Sequence, residues 1–308
     1  MFKNIYLKGV MFCLIATISW GTMFPVMTHA LSIVDPFSFS AIRYTIALFA
    51  FTILLVYKEG ISSLSIKYKE IPLAWLFGTL GFASFGFLVF LGQQMIGEKG
   101  ALNASILMAT MPFMGLITLW LLNKSNKPSV YNFLFILLSF VGVILVTTKG
   151  DIITIINHPN NYIADLIMII GALSWVLYTI GASYFPNWSA YKYTFVTSLL
   201  GLISIYIILF LLILNNIVIF PEFNNIYIII PDLLYMSLVA GFIGVLSWNI
   251  GNSIITPLNG VLFMDIVPIT AFIISIQLGV IPENIQIIGL TISASALIFN
   301  NIYQRYRN

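Results

Sequence analysis

Apolar residues run through this chain in long unbroken stretches parted by short polar joints. Ten stretches stand out: Val10 to Ala30, Phe37 to Tyr57, Pro72 to Leu91, Ala101 to Leu122, Tyr131 to Thr148, Ile163 to Phe185, Tyr191 to Leu214, Leu233 to Asn252, Leu258 to Leu278, and Ile287 to Ile302. A bilayer core about 30 Å thick asks for roughly 20 apolar residues per helical crossing, which is the size of these stretches. Within each, the apolar positions are continuous and do not alternate, so the backbone satisfies itself as helices and not as barrel strands. The joints carry turn and breaker chemistry: "VDP", "GEKG", "SNKPS", "HPNN", "FPN", "PEFNN", "TPLN" and "VIPEN". The pattern predicts an all-α membrane protein of ten transmembrane helices.

Composition agrees: 60% of the 308 residues are hydrophobic and 7% charged, against about 25% charged in an average soluble domain. The few cations are informative by place. With the N-terminus in the cytoplasm, one side holds Lys3, Lys8, Lys58, Lys67, Lys69, Lys124, Lys127, Lys192, Arg305 and Arg307, and the other only Lys99 and Lys149. Cytoplasmic loops are enriched in Lys and Arg, so both termini are expected inside the cell. The first stretch continues through "SWGTMFPVMTHA" without an A-x-A-like site and is read as a retained helix. Cys13 lies inside that stretch, where packing is its expected role and a thiolate metal site is not.

The chain repeats itself. "IATISW", Ile15 to Trp20, returns as "IGALSW", Ile170 to Trp175, at an offset of 155; Asn103, Met108 and Pro112 return as Asn259, Met264 and Pro268 at an offset of 156. The matches fall in the first and fourth stretches of two five-stretch sets. Five is odd, so the second set enters the membrane from the opposite side, an inverted repeat of the kind found in secondary transporters. The sets divide as residues 1–150, an outer linker 151–162, and residues 163–308.

These residues resemble the drug/metabolite transporter superfamily, in its bacterial members built of two EamA-type halves. The resemblance rests on "SWGTMFPV" (Ser19 to Val26), "DPFSFSAIRY" (Asp35 to Tyr44), "ALNASILMATMPF" (Ala101 to Phe113), "DLIMIIGALSWVLYTI" (Asp165 to Ile180) and "PLNGVLFMDIVPITAF" (Pro257 to Phe272), and so covers essentially the whole chain. One departure is visible. Many members carry a glutamate at the inner end of the fourth span and the outer end of the ninth, where this chain has Asn123 and Val280, with Glu283 a few residues late. The resemblance implies a ten-helix basket with a central cavity between the halves, and members that carry amino acids, other metabolites, nucleotide sugars or drugs.

Candidate chemistry follows from the buried polar residues. Counting about 1.5 Å per residue from Pro257, Asp265 lies roughly 12 Å into the core, where an ionised carboxylate facing lipid would cost about 2.5 to 3.5 kcal/mol. It is expected to face the cavity, as a site for a proton or a cationic substrate; a structural bond to a neighbouring helix is the alternative. Pro268 cannot donate a backbone hydrogen bond, which frees the carbonyl of Met264 beside it. Arg43 lies about 10 Å in from the other face and is either an interface anchor that snorkels to the headgroups or an anion site for a substrate carboxylate. A direct bridge between Arg43 and Asp265 is a further option. Trp20, Trp175, Tyr178 and Trp248 are candidate cavity walls able to stack on a cation or ring, or plain packing. The amides Asn103, Asn249, Asn252, Asn259, Gln93 and Gln94 serve either as polar lining or as interhelical glue. Pro25 and Pro112 are candidate bends.

Other classes find little support. His29 and His158 are far apart and no Cys cluster exists, so no metal site or cofactor is expected. No Gly-rich phosphate loop speaks for ATP-driven transport, and the lysines form no nucleic-acid stripe. An intramembrane enzyme would need a convergent nucleophile and base, which are not present. The expectation is a secondary transporter of a small polar or zwitterionic, amino-acid-like metabolite, working by alternating access, exporting, with proton coupling through Asp265. The rivals are an importer of the same fold and, from another class, a membrane scaffold or sensor.

Overall fold

A computed structural model of the chain describes residues 2–97, 100–122, 129–148, 150, 159–277, 279 and 283–307. Lys99, Asn123, Lys124, Lys127, Lys149, His158, Val280 and residues 151–158 of the expected linker lie outside these. Ten principal helices follow in chain order: α1 (Phe2–Leu31), α2 (Pro36–Glu59), α3 (Tyr68–Ile96), α4 (Gly100–Leu122), α5 (Val130–Thr148), α6 (Pro159–Gly181), α7 (Ala190–Leu214), α8 (Ile230–Ile255), α9 (Pro257–Val261 continuing through Ile266–Gln277) and α10 (Asn284–Arg307). Among the described residues no strand occurs. Among the described residues seven helices are long and apolar enough to cross a membrane; α5, α9 and α10 contain the shorter apolar segments Phe133–Gly142, Asn259–Ile274 and Asn284–Ala296. Over the described residues each of the ten expected stretches is therefore essentially helical, and most helices overrun them at the ends, as α1 and α3 do.

Local chemistry explains the joints. In "VDP" the Asp35 carboxylate accepts from the backbone N–H groups of Phe37 (2.9 Å) and Ser38 (2.8 Å), and Pro36 takes the first helical position, where no N–H is needed. Ser189 caps α7 in the same way through Lys192 N at 3.0 Å. On the outside, large apolar side chains such as Phe49, Ile53 and Phe210 are exposed, a surface that suits acyl chains and not water.

The repeat is structural as well as textual. Equivalent helices pack on each other: α2 on α7, α4 on α9, and α5 on α10. Likewise α1 packs along the second half of α8, and its counterpart α6 along the second half of α3. Irregularities repeat too. A π-helical stretch at Thr79–Ser84 within α3 has a counterpart at Tyr235–Gly244 within α8, starting 156 residues later. A 3-10 turn at Met108–Thr110 interrupts α4, and one at Leu262–Asp265 interrupts α9. The second pair has a clear cause. Pro112 and Pro268 each lack the N–H that would reach back four residues, to the carbonyls of Met108 and Met264, and the helix tightens there.

Close helix contact is made through small residues. A Cβ on Gly78 of α3 would fall 2.2 Å from the carbonyl oxygen of Thr197, and one on Gly201 of α7 would fall 2.4 Å from the carbonyl oxygen of Gly78. Two backbones thus touch between the halves, as small residues allow in membranes.

Candidate functional site: a cavity between the halves

At the centre is a small cavity of about 20 Å3, room for a water but not for a metabolite. Its wall is built of repeat-related pairs. Trp20 and Trp175, 155 residues apart in the chain, meet edge to face with ring centroids 5.1 Å apart. Met108 and Met264, 156 residues apart, both line it, each at one of the two 3-10 turns. Phe85 stands against Trp175 at 5.1 Å, and Ala240, Val245 and Val267 complete the apolar part. Each lies near the middle of its helix, so the cavity sits at mid-depth.

Arg43 breaks the symmetry. It lines the cavity, is 2% exposed, and 155 positions later the chain has Ser198. It does not reach a membrane face, which sets aside the anchor alternative. Its Nη2 donates to the hydroxyl of Tyr44, and its guanidinium carbon lies 4.2 Å from the Tyr44 ring centre and 4.8 Å from that of Phe90. These are cation–π distances. Its Nε and Nη1 are buried and have no hydrogen-bond partner, and neither has Trp175 Nε1. Among the described residues the ion pair within 4.0 Å is His29 with Asp232, so Arg43 and Asp265 are not bridged.

Asp265 departs from expectation. It is buried at 9% exposure, with Oδ1 unpartnered, but it does not line the cavity; its neighbour Met264 does. Successive residues of a tight turn point about 100 to 120° apart, so when Met264 faces inward the carboxyl is turned aside. Its turn packs against α1, α4 and α10.

The other expected residues divide. Tyr178 and Trp248 are fully buried just behind the cavity wall, Tyr178 with its ring 4.9 Å from Trp175 and Trp248 with its ring 5.2 Å from Trp20. Asn249 donates to the hydroxyls of Tyr178 (2.7 Å) and Thr194 (2.8 Å), and Trp248 Nε1 to Thr179 Oγ1 (2.9 Å), which ties α6, α7 and α8 together. Asn103 is half-buried on α4 and lies off the cavity wall. Gln93 and Gln94 donate to the carbonyls of Phe24 (2.8 Å) and Leu31 (2.9 Å), so they act as glue between α3 and α1. Asn252 and Asn259 bond within their own chain turn, to Trp248 O and Ile255 O, both at 2.8 Å. Tyr44, Phe85 and Met23 line the cavity without having been singled out. For Tyr44 the sequence did hold a signal, its place beside the buried Arg43. Among the described residues no group of three His, Cys, Asp or Glu comes together to hold a metal.

Helices paired across an internal repeat around a mid-depth cavity define a membrane carrier. The EamA-like transporter family matches the chain twice, over residues 7–148 and 162–302, and the chain belongs to that family. Among its relatives is a protein of Bacillus subtilis (strain 168) named uncharacterized transporter YrdR, 39% identical over 299 residues, covering 96% of this chain and 92% of that one. A second from the same organism, named uncharacterized transporter YyaM, is 27% identical over 290 residues, covering 93% and 90%. A protein of solved crystal structure superposes with a TM-score of 0.68 over 98% of this chain and 96% of that one, at 16% identity, a likeness of fold.

Proposed function

We propose that this transporter moves a small amino-acid-like metabolite across a bacterial inner membrane by alternating access, with the two halves opening the central cavity to one side at a time. The observation that carries the reading is the mid-depth cavity walled by Trp20 with Trp175 and Met108 with Met264, one of each pair from each half, and holding the buried Arg43. A scaffold has no need of a charge and orphan donors at its centre. At about 20 Å3 the cavity is contracted, so a metabolite enters only as the halves part.

Hydrogen bonds across the halves suit this cycle. On the side opposite the termini, His29 Nδ1 of α1 lies 2.7 Å from Asp232 Oδ2 of α8. On the terminal side, Ser189 bonds to Glu59, and Lys192 Nζ donates to Ser65 O at 2.8 Å. Parting one set while keeping the other opens one side. The buried Asp265, on an interrupted helix and without a cation partner among the described residues, is the proposed proton carrier. Lys58, Lys67 and Lys69 beside the α2–α3 joint support cytoplasmic termini.

The test is flux. Proteoliposomes of purified protein, loaded with amino acids and related carboxylic acids, are expected to show saturable movement of at least one of them, faster with a pH gradient; right-side-out and inverted vesicles read the direction. Absence of flux across a broad metabolite panel, with the protein folded, rejects the transport cycle.

A further inference from the structure

The cavity's unpaired polar atoms share one sign of chemistry. Arg43 Nε and Nη1 and Trp175 Nε1 are all N–H donors, all buried, all on residues that line the cavity, and all without an acceptor. Around them the wall is aromatic and aliphatic, and the carboxyl closest in sequence, that of Asp265, is turned off it. Buried donors are ordinarily paired, and a guanidinium with two free N–H groups is expensive to keep in an apolar setting. The repeat sharpens the point. Trp20, the counterpart of Trp175, does have an acceptor, donating to Ala240 O at 3.0 Å. The second half supplies an indole N–H left over, and the first half supplies the charge.

We infer that Arg43 and Trp175 form a carboxylate-binding site, and that the substrate is a small organic acid with an apolar or aromatic body, recognised through its carboxylate and not through an amine. A carboxylate accepts charge-assisted N–H bonds from a guanidinium. Here the guanidinium lies against the Tyr44 and Phe90 rings and its Nη2 donates to the Tyr44 hydroxyl, which leaves Nε–H and Nη1–H, on different edges of the group, each to give one bond to the ligand. The Trp175 indole, its ring against Trp20 and Phe85, then adds a donor and a flat face for the acid's body. An amine would find no acidic lining residue to pair with. Amino acids are accepted for their carboxylate, and acids lacking the amine bind as well.

This inference rests on the transport reading for its meaning but is tested by binding alone. Purified full-length protein is titrated with phenylacetate, isovalerate, phenylalanine, phenylacetamide and phenethylamine, following tryptophan fluorescence and melting temperature. The acids and phenylalanine are expected to bind and raise the melting temperature, and the amide and amine to bind roughly 10- to 100-fold more weakly, the worth of charge-assisted hydrogen bonds. Arg43→Gln should lose acid binding by a similar factor, with Arg43→Lys between. Trp175→Phe, which keeps a ring and removes only the N–H, gives a second reading if Arg43→Gln does not fold, and should weaken the acids several-fold while leaving the amide unchanged. Phenethylamine binding as tightly as phenylacetate, no binding of either acid, or acid binding that both substitutions leave intact would overturn the site. If the acids bind as stated but nothing crosses proteoliposomes, the transport cycle fails and the site stands; if an amine is transported independently of Arg43, the site fails and the cycle stands.

Discussion

Trp20 and Trp175 are the same position of the repeat, and their rings touch edge to face at 5.1 Å in the middle of the protein, yet their N–H groups have different fates. That of Trp20 is bonded to Ala240 O at 3.0 Å, within the π-helical stretch of α8, and that of Trp175 has no partner. The pair marks where the two halves meet, and the difference marks where twofold symmetry yields to a ligand.

A matched pair of substitutions follows. Trp20→Phe and Trp175→Phe remove similar ring area, but only the first removes an interhelical hydrogen bond, worth on the order of 0.6 kcal/mol in a membrane. Trp20→Phe is therefore expected to melt at a lower temperature than Trp175→Phe in the same detergent, and Trp175→Phe to bind acids more weakly than Trp20→Phe. The reverse order in both assays contradicts the assignment.

The backbone contact between α3 and α7 leaves no room for a methyl group. Gly78→Ala places a carbon 2.2 Å from Thr197 O, a backbone atom that cannot rotate away. The helices must separate, at a cost of about 1 to 3 kcal/mol, and thermal unfolding of the purified variant should show it. Gly115→Ala is the control, because the carbon added there meets only ordinary contacts at 3.5 Å and beyond on a helical backbone. A Gly78→Ala protein as stable as wild type would show that this packing is looser than described.

The sequence made much of this legible, and for identifiable reasons. Continuous apolar stretches mark the ten helices because lipid leaves the backbone only helices or closed barrels, and unbroken apolar runs fit the helix. The repeat matched Trp20 with Trp175 and Met108 with Met264 by offset, and in the structure both pairs line the cavity. Arg43 could be picked out as a charge within the second apolar stretch, though not whether it reached the headgroups or faced inward. Asp265 was expected at the cavity from its depth alone; in the structure it is its neighbour in the 3-10 turn Leu262–Asp265, Met264, that lines the cavity. The π-helical stretches Thr79–Ser84 and Tyr235–Gly244 had no signal in composition, because they depend on how the neighbouring helix accommodates an extra residue.

His29 and Asp232 join α1 to α8 at the end away from the termini, with side chains 58% and 14% exposed. If this contact helps close that side, Asp232→Asn should open it more often. Met23 lines the cavity, so a Met23→Cys reporter in a Cys13→Ala background measures the opening by its rate of reaction with a membrane-impermeant thiol reagent added from that side. Exposed pairs are weak, so the rate should rise by up to about five-fold and no more. An unchanged rate removes the pair from the gating scheme.

Asp265 gives the last prediction. Its carboxyl is buried, has no ion-pair partner among the described residues, and sits in a turn that packs on α1, α4 and α10, elements from both halves. A group so placed feels the parting of the halves without touching the substrate. Asp265→Asn keeps size and polarity and removes the titrating proton, so it should leave acid binding near wild type while abolishing the effect of a pH gradient on flux. Exchange of labelled substrate at equal pH should persist. Loss of binding in the variant would instead make Asp265 part of the substrate site, and a pH response equal to wild type would mean that the proton, if one moves, travels elsewhere.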